Sequence, residues 1–410
     1  MAPFQPQPAE ISHPDIGVVQ CLSVSGVIQL LGVKYASLEH WFDNPKLSTY
    51  DGSGITAQKH GPQAISDPRA VDNEMVAIQK TLPKPDFPGL SGTDCLTLNI
   101  SIPSGNYSAP LPVFVFIHGG GFAVGSSWWP QYDMASIVRL SAQLGQPMIG
   151  ININYRLGAP GFAASEELEQ AGYKTNRGLQ DQRASIHWIK KYIGGFGGDP
   201  DRITVAGESV GGCDIFAFMG LFSQRKGIAA GFSVLARKLL FSHHGAADRL
   251  LRCYSITPEL DDQDALLRVL TFGSDIGNQA AARAFAASFP RDAFVLEFAE
   301  PNPWDGPFKG HSTHILDISF LLQNYSDLLD NTQRAASEEF AKAVITFVHG
   351  EKPWEPFSVS GAIATLGGGQ LKHLKGTEAM TEQYRGMASI GQAIGFDTLL
   401  GLWLAFVFGF

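Results

Sequence analysis

Two short segments hold the residues best suited to do chemistry. Gly207-Glu208-Ser209-Val210-Gly211 places a serine between glycines, after the apolar run Arg202–Ala206 and before a helix predicted over Val210–Phe222. A serine there sits on a very tight strand-to-helix turn, its hydroxyl projecting from the sheet edge. The glycines remove side chains that would collide with the neighbouring strand and helix. The start of a helix also favours a developing negative charge. The second segment, His118-Gly119-Gly120-Gly121-Phe122, follows another apolar run. Three glycines let the backbone curl until successive N–H groups face one point, which is what an oxyanion needs. Neither the lysine of a phosphate loop nor the GxGxxG spacing accompanies it. Read alone, the first segment is also compatible with a glycine turn carrying a bystander serine.

The elements that must position these residues are legible around them. Pro112–Ile117 and Pro147–Tyr155 are apolar and rich in β-formers, as expected of strands buried on both faces of a parallel sheet. Between the second of these and the strand before Ser209, a helix is predicted from about Gly178 to Ile193. Leu179, Ile186, Ile189 and Ile193 share one face, Lys190 and Lys191 point away, and a glycine-rich stop follows. Strand, helix, strand and helix in this order predict a parallel α/β sheet. Ala293–Ala299 reads as a further buried strand, and residues 1–100 as turns and short strands.

Composition agrees with a large core. The 410 residues include 45 glycines, 44 % are hydrophobic and 17 % charged, against a usual charged fraction near 25 %. A net charge of −9 argues against nucleic acid or an anionic membrane as partner. Four scattered cysteines (Cys21, Cys95, Cys213, Cys253) suit neither a disulfide scaffold nor a metal cluster, and no cofactor or metal is expected. No signal peptide is read at the N-terminus, so a cytoplasmic location is expected and the triplets at Asn99, Asn106 and Asn324 carry no weight as glycosylation sites. The apolar tail after Asp397 is short for a spanning helix and is expected to pack as a terminal helix.

With these segments assembled, the chain resembles the type-B carboxylesterases of the α/β-hydrolase group, which includes cholinesterases, lipase-like esterases and the non-catalytic neuroligins. The resemblance rests on Asp94–Asn99, HGGGF at His118, NYRLGAPGF at Asn154, NRGLQDQRASIHWI at Asn176, FGGDPDRITVAGESVGG at Phe196 and GHSTHILDISFL at Gly310. The phrase PNPWDGPFKGHSTHILDISFLLQNY is similar to filamentous-fungal members. The resemblance implies one α/β-hydrolase domain over 1–410, a mostly parallel central sheet with helices on both faces, and a reduced cap. It implies Ser209 as nucleophile, Gly120, Gly121 and Val210 as oxyanion donors, His314 as catalytic base with His311 the competing choice, and Glu208 as a supporting electrostatic residue. Phe122, Trp128 and Trp129 would line an acyl or alcohol pocket, or belong to the core.

The match has a gap. The fold orders its triad Ser, acid, His, yet no segment resembling the family's Asp-x-x-x-Glu-Gly is found. Only 105 residues separate Ser209 from His314, roughly half the family's spacing. Material around 223–260 is read as truncated, which would expose an unpaired sheet edge. Asp248, after KLLFS, is the choice for the acid. Asp261, Asp262 and Asp264 open a predicted helix and read equally as caps. The resemblance also leaves Cys95 without its usual disulfide partner, and puts Asp214 where the family often has a small residue. Two functions remain: a serine carboxylic-ester hydrolase acting on a small-molecule ester, or a hydrolase scaffold without activity. Oligomeric state is open.

Overall fold

The computed structural model describes residues 6–209 and 226–408, which form two compact units. The first comprises the chain up to the serine turn together with Asn302–Gly310 and Ile315–Pro353. The second holds the described residues up to Pro301, His311–His314 and the chain from Trp354 on.

The first unit is built on an eight-stranded sheet. Its strands are β1 (Gln7–His13), β2 (Gly17–Val24), β3 (Val27–Lys34), β4 (Ile55–Thr56), β5 (Thr97–Pro103), β6 (Leu111–Ile117), β7 (Ile149–Ile153) and β8 (Gly198–Gly207). The order is β1-β2-β3-β5-β7-β6-β8, with β4 beside β2. The sheet is mixed: β7, β6 and β8 run parallel, while β1, β2, β3, β5 and β7 pair antiparallel in succession. Two of the three strands in that parallel run, β6 and β8, lead into the glycine motifs, and β4 also pairs parallel with β2.

Every residue of β7 is buried, and every residue of β6 except Ile117. Alternate side chains feed two layers. Val113 and Val115 join Trp188, Ile189, Tyr192 and Ile193 in the main core, contributed by helix α3 (Arg177–Tyr192) and the turn after it. On the other face, helix α2 (Ala135–Gln143) lies so close that a Cβ on Gly150 would come within 2.8 Å of Val138. Helix α1 (Ala70–Ile78) belongs to the same unit.

Helix α3 lies within one residue of its expected bounds, and Ile189 and Ile193 of the expected face are buried, but that face extends toward Asp181 and leaves Leu179 outside it. Asp181, Ala184, Ser185, Trp188 and Tyr192 point inward, whereas Leu179 is 45 % exposed. A buried Asp181 bonded to Arg156 holds the helix in that orientation, and apolar periodicity alone gives no sign of it.

Strand β8 ends the sheet order, pairing only with β6 among the described residues, and its Val205 is 48 % exposed.

In the second unit, helices α4 (Ile228–Leu239), α5 (Ala246–Cys253), α6 (Asp262–Ser274), α7 (Ala280–Ser288), α8 (Glu382–Ile394) and α9 (Phe396–Phe408) surround a core that includes Phe232, Leu250, Phe272, Met387 and Trp403. The expected strand at Ala293–Ala299 is β9 (Val295–Phe298), half-buried rather than buried, in a separate sheet with β10 (Ile363–Gly367) and β11 (Gln370–Leu374). The apolar tail is the packed helix expected: Leu399, Leu402 and Trp403 are fully buried. Among the described residues no single helix is long and apolar enough to cross a membrane.

Candidate active site

Strand register brings the two motifs together. Ile117 at the end of β6 pairs with Gly207 at the end of β8, and the Glu208 N–H donates to the Ile117 carbonyl at 3.1 Å. Each strand runs straight into its motif, so His118-Gly119 and Glu208-Ser209 emerge side by side. Ser209 has φ +61°, a left-handed conformation that costs a non-glycine residue about 1–3 kcal/mol and clusters at functional turns. A Cβ built on Gly119 would lie 2.7 Å from the Cβ of Ser209. That contact explains why the position facing the serine carries no side chain.

The next position, Gly120, is also closed to a side chain. Gly120 and Gly121 have φ +94° and +61°, and a Cβ on Gly120 would meet the Val124 carbonyl oxygen at 2.2 Å. That oxygen is held against Gly120 because the Gly120 carbonyl accepts the N–H groups of Ala123 and Val124, both at 3.0 Å. The Gly119 N–H is committed elsewhere, donating to Glu208 Oε2 at 2.8 Å.

Glu208 is buried, with its carboxylate among hydrogen-bonding groups. Besides the Gly119 N–H, its Oε2 lies 3.1 Å from the Tyr132 hydroxyl. The same hydroxyl sits 2.5 Å from Glu74 Oε1, which also accepts Gln131 Nε2–H at 3.0 Å. One phenolic proton thus stands between two carboxylates, and burial with those two charges pushes the Tyr132 hydroxyl well above its ordinary pKa. His118 is fully enclosed, stacked 4.6 Å from Tyr155, with Nδ1 3.0 Å from the Gly119 carbonyl oxygen. Burial brings its pKa down to about 4, so it is neutral at physiological pH and shapes the loop.

The structure places the remaining expected residues as follows. Val210 and the helix expected over Val210–Phe222 lie outside the described residues, as does Asp214. Phe122 is half-buried with φ +59°, its ring 4.2 Å from that of Phe162. Trp128 and Trp129 correct toward the core: both are buried, Trp128 donating its indole N–H to Gln63 Oε1 at 2.8 Å and Trp129 stacking on Tyr132. His314 lies in the second unit, half-buried, while His311 is exposed.

Asp248 is not at a strand end. The apolar residues before it belong to α4 and the turn after it, and Asp248 itself sits in the first turn of α5, half-exposed, with Oδ1 3.2 Å from Arg237 Nε. An ion pair with an arginine explains its position, and the triad acid is left unassigned. Asp261 is a helix cap, accepting the N–H groups of Gln263 and Asp264. Asp262 accepts the Ile228 N–H at 2.9 Å.

Tyr132 and Glu74 escaped sequence reasoning because Tyr132 reaches Glu208, and Glu74 reaches Tyr132, over long stretches of chain. Arg156 and Asp181 had a signal, being charged residues within segments that otherwise read as buried. They form a bidentate pair, fully enclosed, with both nitrogen–oxygen distances at 2.7 Å.

Cys95 is free and buried, its thiol pushed up to about 12 by burial. Asn99, one of the glycosylation-type triplets, is buried and bonded to Ser127 and Asn152.

A strand-borne serine in a left-handed turn beside a glycine loop, on a sheet of this order, defines an α/β-hydrolase. A solved PNB esterase matches with a TM-score of 0.67 over 92 % of this chain and 99 % of that one, at 19 % identity, which speaks for the fold. The profile of the carboxylesterase family matches residues 16–228, and the chain belongs to that family. Lipase 4 of Diutina rugosa is 37 % identical over 174 residues, covering 42 % of this chain and 30 % of the lipase. A protein of Byssochlamys spectabilis named as an inactive carboxylesterase-like protein, VdtD, is 44 % identical over 119 residues, covering 29 % of this chain and 20 % of that protein. The matched segments therefore span a third or less of these two relatives.

Proposed function

We propose that the protein is a serine carboxylic-ester hydrolase acting through an acyl-enzyme on Ser209. The observation that carries this reading is the left-handed Ser209 set against Gly119, with a Cβ-to-Cβ allowance of only 2.7 Å. Ser209 Oγ attacks the ester carbonyl, His314 takes its proton, and the N–H groups of Gly120, Gly121 and Val210 hold the oxyanion. The alkoxide leaves with the proton from His314, and water then releases the acid by the same steps reversed. Phe122 offers an apolar contact to the substrate. Glu208 acts on the loop: by accepting the Gly119 N–H it fixes the backbone from which Gly120 and Gly121 donate. The substrate is a small-molecule ester. A cytoplasmic location belongs to the same proposal, supported by the unpaired Cys95, and cell fractionation tests it.

Without a triad acid the rate is expected to fall by about 10³–10⁴ relative to a full triad, so the activity is weak. A scaffold without activity is the second reading, favoured by the likeness to a relative named as inactive. Hydrolysis of p-nitrophenyl butyrate by wild type and Ser209→Ala separates the two. A rate abolished by the substitution supports the hydrolase, and equal rates support the scaffold.

A further inference from the structure

On the first unit, away from the serine turn in sequence, an open cavity of about 480 Å³ lies between the Asn44–Leu47 segment and one face of α3. Its polar lining is Asn44, Lys174, Gln180, Arg183 and His187, and no carboxylate lines it. Gln180, Arg183 and His187 recur at helical spacing, so they share one stripe of α3. Among the described residues Lys174 and Arg183 form no ion pair, although the chain as a whole carries −9.

Both walls are pinned from below. The Arg156 guanidinium that clasps Asp181 of α3 also donates to the carbonyls of Trp41 and Asp43, at 2.8 and 2.7 Å, just before the Asn44–Leu47 wall. Arg177 donates to the Lys174 carbonyl at 2.6 Å, fixing the backbone that carries that lysine. Asp181 is engaged by Arg156, Glu39 by Lys46, and Asp43 by the His40 N–H. The cationic groups thus face the cavity on rigid supports, the arrangement that a binding site requires.

The rest of the lining is apolar, from Pro45, Leu47 and Ala184. We propose that this groove binds an amphiphilic organic carboxylate. Its charged end sits between Lys174, Arg183 and His187, where the arginine fork matches a carboxylate. Its short alkyl body covers Pro45, Leu47 and Ala184, and the cavity volume is within the range of small-ligand sites. The inference is independent of the serine chemistry.

The test is calorimetric titration of the full chain with octanoate, acetate and inorganic phosphate as probes. Octanoate is expected to bind saturably at one site, more tightly than acetate or phosphate. Arg183→Glu and Lys174→Glu are each expected to weaken it at least tenfold, Arg183→Lys to weaken it less than Arg183→Glu does, and Ser209→Ala to leave it unchanged. Arg183 and Lys174 are exposed, so the variants are expected to fold, with melting temperatures as the check. Absence of saturable octanoate binding, wild-type affinity in Arg183→Glu, or phosphate binding as tight as octanoate would each overturn the proposal.

Discussion

Glu208 Oε2 accepts the N–H of Gly119 at 2.8 Å, so the residue before the nucleophile ties the serine turn to the glycine loop. The bond joins residues far apart in sequence, across the ends of two paired strands. It makes the geometry of the loop depend on a buried carboxylate.

Gly119→Ala tests that closeness. The added methyl would lie 2.1 Å from Glu208 Oε2 and 2.7 Å from the Ser209 Cβ, so one of the two must move. Ester hydrolysis is expected to drop by about 10²–10³, the scale of losing an oxyanion donor. Wild-type turnover in a folded Gly119→Ala variant would show that loop and serine do not bear on one another.

Ser209→Gly separates strain from chemistry. Glycine accepts φ +61° without a Cβ penalty. The variant is expected to lose activity while gaining about 1 kcal/mol of stability, read as a raised urea midpoint. A lowered midpoint would mean that the serine side chain stabilises the turn.

Breaking the Arg156–Asp181 pair has the opposite effect. Both side chains are enclosed, at 1 % and 0 % exposure. Asp181→Ala leaves a buried guanidinium uncompensated and is expected to cost about 3–5 kcal/mol. Chemical denaturation measures it, and a loss below about 1 kcal/mol would contradict the role given to the pair.

His118 sets a pH dependence. Its folded pKa of about 4 lies below the ordinary 6.5, so between these values the unfolded chain binds the extra proton. The stability from keeping His118 neutral is present above pH 6.5 and is lost as pH falls toward 4, by roughly 3 kcal/mol. Asp275, raised to about 6 by burial, works in the other direction: its contribution is greatest at low pH and fades as pH rises through 6. The slope that disappears in His118→Gln is the part owed to His118. An unchanged slope would contradict the assignment.

The parts of this protein legible in the sequence are those with local causes. Uninterrupted β-formers marked β6 and β7, glycines marked the loop and the turn, and the spacing of Lys190 and Lys191 marked the solvent side of α3. Long-range causes were not legible. Leu179 faces water because Asp181 is held by Arg156, which enters from the end of β7. Asp248 followed a short apolar run that read as a strand end, and that run folded as the end of α4 and the turn after it. Trp128 and Trp129 sit beside the loop in sequence but turn inward because Gln63 and Tyr132 offer them partners.

The central claim is an activated Ser209, and labelling of the purified chain with a fluorophosphonate probe tests it most directly. The account predicts that wild type labels, that Ser209→Ala does not, that His314→Ala labels at least about 100-fold more slowly, and that Asp248→Ala labels as wild type does. Soluble, folded wild-type protein that takes up no probe would contradict the account and leave a hydrolase scaffold without its chemistry.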